Sequence, residues 1–202
     1  MKRITYLLLL VLILAAGFGI GWYQLMPGGK STDLRLAEPE GGDFTLQSAK
    51  GPISLADYRG KVTVLYFGYT YCPDICPTSL SLLTQALNAL QKHEIDKVQT
   101  LFISVDPERD TPAQLDRFTR YFHENIIGVT GDSELVKQVA TAYGAAYRRV
   151  DGESKGGYLV DHTSVTYVID PEGKLRESLP HGSDPVKILS AIRAYLPASG
   201  GS

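Results

Sequence analysis

Residues 61–77 read KVTVLYFGYTYCPDICP. From Lys61 to Tyr69 the run is almost continuously β-branched or aromatic, without the polar alternation of a strand wetted on one side. That pattern predicts a strand buried on both faces, and so one at the centre of a layered sheet. It stops at Thr70-Tyr-Cys-Pro-Asp-Ile-Cys-Pro77, after which Leu80, Leu83, Leu87 and Leu90 recur at helical spacing, with Pro77 and Thr78 suited to a helix start. Cys72 and Cys76 therefore sit where a central strand turns into a helix.

Downstream, Val98 to Val105 reads as a second buried strand, and Asp106-Pro-Glu-Arg-Asp-Thr-Pro112 as a turn into a helix from Ala113 to His123. A strand over Ile126–Val129 precedes a helix from Ser133 to Tyr143. Strands follow over Ala145–Val150 and Tyr158–Val160, separated by a flexible glycine-rich stretch from Gly152 to Gly157. Val165–Ile169, a turn at Pro171-Glu-Gly173, and Leu175–Leu179 form a hairpin before a closing helix over Pro185–Leu196. Upstream, Phe44–Leu46 and Ile53–Leu55 alternate around turn residues Ala49 to Pro52, the pattern of an N-terminal hairpin. Strands alternating with helices predict an α/β, thioredoxin-like sandwich over residues 43–197, with a flexible tail at 198–202.

The chain has 202 residues, 44% of them hydrophobic and 21% charged, which suits one globular domain with an appended segment. A formal net charge of -2 offers no basic surface for nucleic acid. After Lys2 and Arg3, an apolar run from Ile4 to Trp22 approaches the ~20 residues that a membrane-crossing helix needs. Small residues Ala15, Ala16 and Gly17 lie inside that run rather than at its end, so residues 1–23 read as an uncleaved single-pass anchor. No cysteine follows for lipid attachment. Positive charge at Lys2 and Arg3 keeps that end in the cytoplasm and places the rest of the chain outside, behind a Gly- and Pro-rich tether over residues 24–42.

Cys72 and Cys76 are the only thiols in the chain. Residues four apart share a helix face, so both sulfurs can converge on one small object, and a helix N-terminus favours thiolate over thiol. Such a pair invites a metal or oxidation. A structural disulfide is the plainest reading outside the cytoplasm, although it would close a very short loop. Structural zinc requires four ligands and usually a second paired motif, which is missing here. Copper(I) accepts fewer ligands and prefers soft thiolates with imidazole. Of the four histidines, His93 and His123 end predicted helices, and His181 precedes one. His162, between Asp161 and Thr163-Ser164 just before a buried strand, is the leading candidate ligand, and Asp161 either orients its imidazole or is a simple turn residue.

Three motifs, Tyr66-Phe-Gly-Tyr-Thr-Tyr-Cys-Pro-Asp-Ile-Cys-Pro77, Ser104-Val-Asp-Pro-Glu-Arg-Asp-Thr-Pro112 and Asp161-His-Thr-Ser164, together resemble the Sco/SenC family, from about Phe44 to Leu196 and including the preceding anchor. The resemblance implies a thioredoxin-like fold that holds copper through Cys72, Cys76 and His162. It also implies a metallochaperone on the outer, periplasmic side of the cytoplasmic membrane, which helps assemble the binuclear copper (CuA) site of cytochrome c oxidase. Its expected partners are the oxidase subunit carrying that site, another copper chaperone, or a thioredoxin-like reductant. The segment Asp106–Asp110 reads as a turn in which Asp110 caps the next helix, or as a loop that docks an acceptor protein through Asp106, Glu108, Arg109 and Asp110. Tyr66, Tyr69 and Tyr71 read as packing rather than redox groups.

The main alternative is a thiol-disulfide oxidoreductase cycling Cys72 and Cys76. Against it stand the C-x-x-x-C spacing and the Asp-His-Thr-Ser sequence where thioredoxins place a cis-proline. A peroxidase is disfavoured because peroxidatic cysteines of this fold class follow a Pro-and-Thr pattern that is not present around Cys72.

Overall fold

In the computed structural model, which describes residues 39–154 and 157–198, the chain enters the fold through an antiparallel hairpin of β1 (Thr45–Ser48) and β2 (Gly51–Ser54). A 3-10 turn over Leu55–Tyr58 leads to β3 (Val62–Gly68), every residue of which is buried. Helix α1 (Ile75–Asn88), a single-turn helix α2 (Lys92–Ile95) and β4 (Val98–Ser104) follow. Next come α3 (Pro112–Phe122), β5 (Ile126–Val129) and α4 (Ser133–Ala142). A second hairpin, β6 (Tyr147–Ser154) and β7 (Gly157–His162), precedes β8 (Val165–Ile169), β9 (Leu175–Pro180) and α5 (Pro185–Ala194).

The main sheet has the order β5-β4-β3-β8-β9. Strands β3, β4 and β5 run parallel, while β8 is antiparallel to both β3 and β9. Parallel neighbours require crossovers, which α1 with α2 and then α3 supply. Leu80, Leu83 and Leu87 of α1 are buried, as their spacing predicts, and α1 packs against α5. Burying each leucine contributes about 1.5–3 kcal/mol. With β3 at the centre, this is the α/β sandwich of thioredoxin type expected from the sequence, and the end of β3 becomes the natural place for a site.

Several boundaries differ from expectation for local reasons. Helix α1 begins at Ile75, ahead of Pro77. Proline is tolerated there because first-turn N–H groups have no partner within the helix. The stretch read as a flexible spacer is partly strand, since β6 continues to Ser154 and β7 starts at Gly157. His162, expected in a loop, is the last residue of β7. Gly41 and Gly42, read as tether, are fastened to the fold, with Gly41 N–H donating to the Ala142 carbonyl at 3.0 Å and the Tyr143 hydroxyl donating to the Gly42 carbonyl at 2.8 Å. Among the described residues no helix is long and apolar enough to cross a membrane. The run from Ile4 to Trp22, the first part of the tether and the last four residues lie outside the described residues.

Candidate metal centre

Gly68, the last residue of β3, makes room for the site. A Cβ built on it would lie 2.8 Å from Cys76 Sγ and 2.9 Å from Phe102 Cε2. Its backbone is ordinary strand, so the requirement is space rather than a glycine-only conformation. The first turn of α1 therefore settles directly on the strand end, and Cys76 is 0% exposed. Cys72 lies half-buried in the preceding turn, with its N–H donating to the Tyr69 carbonyl at 3.3 Å. The Cys76 N–H donates to Cys72 Sγ at 3.4 Å, so an otherwise unpaired helix-terminal donor is aimed at the sulfur. Both thiols are free.

His162 reaches this turn from β7. Its Nε2 lies 3.2 Å from Cys76 Sγ, while Nδ1 faces the Thr163 carbonyl at 3.3 Å. The rings of Tyr66 and Tyr69 meet the imidazole edge-on at centroid distances of 6.3 and 5.8 Å. Ligand atoms of Cys72, Cys76 and His162 all fall within 4.8 Å of one another. Asp161 has no part in orienting the ring. Adjacent strand residues point to opposite sides, and its carboxylate accepts from Arg148 Nη2 at 2.9 Å, out in solvent.

The two sulfurs are electrostatically unlike. A hydrogen bond from the Cys76 thiol, helped by His162 and the backbone N–H groups of Cys76 and Asp74, holds Cys72 down to about 3 against the opposing effect of burial. That same hydrogen bond, with burial and the Cys72 charge, pushes Cys76 up. Tyr66, buried against this pair, has its hydroxyl pushed up chiefly by burial. An open groove lined by Tyr69, Cys72, Pro73, Ile75, Leu159 and His162 gives access from outside.

The other histidines stand apart from the site. His93 is exposed on α2, and His123 Nδ1 accepts from the Asn125 N–H at 3.0 Å. His181 Nδ1 pairs with Ser79 Oγ at 2.8 Å, while the capping of α5 is done by Asp184, which accepts from the Val186 N–H.

The segment Asp106–Asp110 differs from both sequence expectations, with Asp106 and Asp110 turned inward. Thr111, not Asp110, caps α3, accepting from the Gln114 N–H. Asp110 is 0% exposed and accepts from the Thr70 N–H at 2.9 Å, Thr70 Oγ1 at 2.5 Å and Ser104 Oγ at 2.6 Å. It ties the cysteine turn to the end of β4, although burial still pushes its carboxyl above the ordinary value. Asp106 also faces inward, which leaves Glu108 as the outward-facing acid of the supposed docking loop. Gly68 carried a readable signal, since a glycine inside a strand pattern marks close approach by another group. Asp110 carried none that distinguished it from a cap.

The model of the SCO1/SenC family matches residues 32–197. This chain belongs to the SCO1/SenC family. As a SCO1/SenC chain it is 34% identical over 204 residues to the SCO2-like protein of Rickettsia felis, covering 96% of this chain and 99% of that one. Among solved structures, Bradyrhizobium japonicum ScoI with copper bound matches with a TM-score of 0.70 and 36% identity, over 77% of this chain and 99% of that one. BsSco, described as a member of the Sco family of cytochrome c oxidase assembly proteins in which a disulfide switch was identified, matches with a TM-score of 0.65 and 27% identity, over 79% and 95% of the two chains.

Proposed function

We propose that this SCO1/SenC chain binds one copper ion through Cys72 Sγ, Cys76 Sγ and His162 Nε2, and that the copper is cargo destined for the binuclear copper site of cytochrome c oxidase. The observation that carries this reading is the convergence of the three ligand atoms within 4.8 Å. Two soft sulfurs and one imidazole suit copper, and among the described residues no fourth Cys, His or carboxylate joins the group to make a structural zinc cage. Copper in the related ScoI structure and the oxidase-assembly role given for BsSco support the same reading. Cys72 is already charged for ligation, Cys76 gives up its proton on binding, and the open groove lets an acceptor's ligands enter. The charged Lys2-Arg3 start and the apolar run to Trp22 support anchoring to the cytoplasmic membrane, with the site on its outer side.

A second reading, thiol-disulfide exchange, is favoured by the contrast between the half-exposed, low-pKa Cys72 and the buried Cys76. The Cys72 thiolate would attack a disulfide of the acceptor, forming a mixed disulfide and releasing one acceptor thiolate. Cys76, deprotonated, would then attack Cys72 Sγ, releasing the second acceptor thiolate and leaving this chain oxidised by two electrons.

Copper titration of the reduced full-length protein separates the two. The copper reading expects one tightly held ion per chain with thiolate-to-copper charge transfer. Binding would be lost in Cys72→Ala and Cys76→Ala, and weakened about 10- to 100-fold in His162→Ala. Full affinity in either cysteine variant would sink it. Absence of copper retention beside rapid reduction of a disulfide-bonded acceptor would establish thiol exchange instead.

A further inference from the structure

The β6–β7 hairpin that carries His162 is not part of the five-stranded sheet. The cysteine turn grows from β3 in the centre of that sheet. Sheet hydrogen bonding reaches the imidazole only through β8, which begins at Val165 and pairs with β3, so the rest of the hairpin is held by contacts outside the sheet. The segment after β4 is placed to do this. Asp106, 3% exposed, accepts from Arg109 Nε at 2.5 Å and from the Tyr158 hydroxyl at 2.7 Å. Arg109 Nη1 donates to the Tyr158 carbonyl at 2.9 Å. The guanidinium lies 3.7 Å from the centre of the Tyr158 ring and 4.8 Å from that of Tyr71.

Tyr158 lies on β7 four residues before His162, on the same side of the strand, and Tyr71 immediately precedes Cys72. Arg109 thus touches both ligand-bearing arms at once, with its side chain only 14% exposed. Arginine suits this place because a planar guanidinium can stack on two rings while its edge donates hydrogen bonds. Lysine keeps the charge but offers neither flat face nor fork. We infer that Arg109, braced by Asp106 and seated on Tyr158, is a positioning residue that latches the β7 arm to the cysteine turn and so sets the reach of His162. The metal-related part of this inference rests on the copper reading above; the latch itself does not.

Arg109→Lys and Tyr158→Leu in the full-length protein test it, the second guarding against a folding failure of the first. In the metal-free protein, NMR cross-relaxation between the His162 and Tyr69 rings is expected to be strong in the wild type and lost in both variants. In the copper(II)-loaded protein, both variants are expected to show the altered spectrum of His162→Ala and about 10-fold weaker copper(II) binding. The double variant Arg109→Lys, His162→Ala should bind no more weakly than His162→Ala alone, because the latch acts through that ligand. Wild-type ring contacts in both folded variants would overturn the latch. If those contacts are lost but His162→Ala leaves copper unchanged, the latch stands and the assignment of His162 as a ligand fails.

Discussion

The two arms that meet at the candidate metal centre are held by different means. The cysteine arm is built on β3, whose residues are all buried, and its second sulfur occupies space cleared by Gly68 in the core. The histidine arm is a hairpin beside the sheet, and its placement depends on side-chain contacts such as Val160 N–H to the Tyr69 hydroxyl at 3.2 Å. One arm is packed into the core, whereas the other is joined to the sheet through β8 and to the cysteine turn by polar and ring contacts. Under the copper reading proposed above, this asymmetry would assign retention to the sulfurs and release to the imidazole.

The largest effect that would sharpen this contrast is chemical. Cys72, held at about 3, should be alkylated in the reduced metal-free protein at least about 100-fold faster than buried Cys76, and at a rate nearly flat from about pH 5 to about pH 8. Mass-mapped labelling kinetics check this, and a rate climbing tenfold per pH unit would mark Cys72 as an ordinary thiol. Gly68→Ala, by forcing a carbon against Cys76 Sγ and Phe102, is expected to cost about 1–3 kcal/mol in denaturant unfolding. Unchanged stability would mean that the cysteine arm is softer than its burial suggests.

Asp110→Asn should cost about 1–3 kcal/mol by leaving buried donors of Thr70 or Ser104 poorly matched. The pH dependence has a definite sign. Burial raises the Asp110 carboxyl above its ordinary 3.8, so its contribution is complete below that value and declines as pH rises through the higher folded-state value. The stability gap between wild type and variant should therefore narrow over that window in pH-resolved unfolding, and a gap that widens would contradict the assignment. Smallest is Asp161→Asn on the hairpin's exposed face. Loss of its pairing with Arg148 should change stability by less than about 0.5 kcal/mol and leave the copper spectrum unaltered. A changed spectrum would return Asp161 to the site.

Much of this arrangement is legible in the residues. The unbroken run over Val62–Gly68 marks the central strand because burial on both faces removes any need for alternation. Cys72 and Cys76 stand out because sulfur is scarce here and their spacing matches a helix turn. His162 is different: its partners are 86 residues away from it in the case of Cys76, and no local pattern records so distant a meeting. Its place before a buried strand set it ahead of the other three histidines, and the resemblance to a family strengthened that reading. The two readings of Asp161 stay open in the sequence, and Asp110 reads there as a cap, for a related reason. Acids near turns and helix starts share one local sequence context, whether they face solvent, as Asp161 does, or the interior, as Asp110 does. Arg109 likewise reads as a loop charge until the fold lays it against two tyrosines.

Gly68 also bears on how other chains of this architecture are to be interpreted. Because the second sulfur sits where a side chain at the end of β3 would begin, a paired-cysteine turn and that glycine form one volumetric unit. A chain with the same thiol spacing but a larger residue closing the central strand has no seat for a buried sulfur in this pose. It must lift its helix off the sheet or present both thiols to water, and either change would make it a different kind of thiol protein.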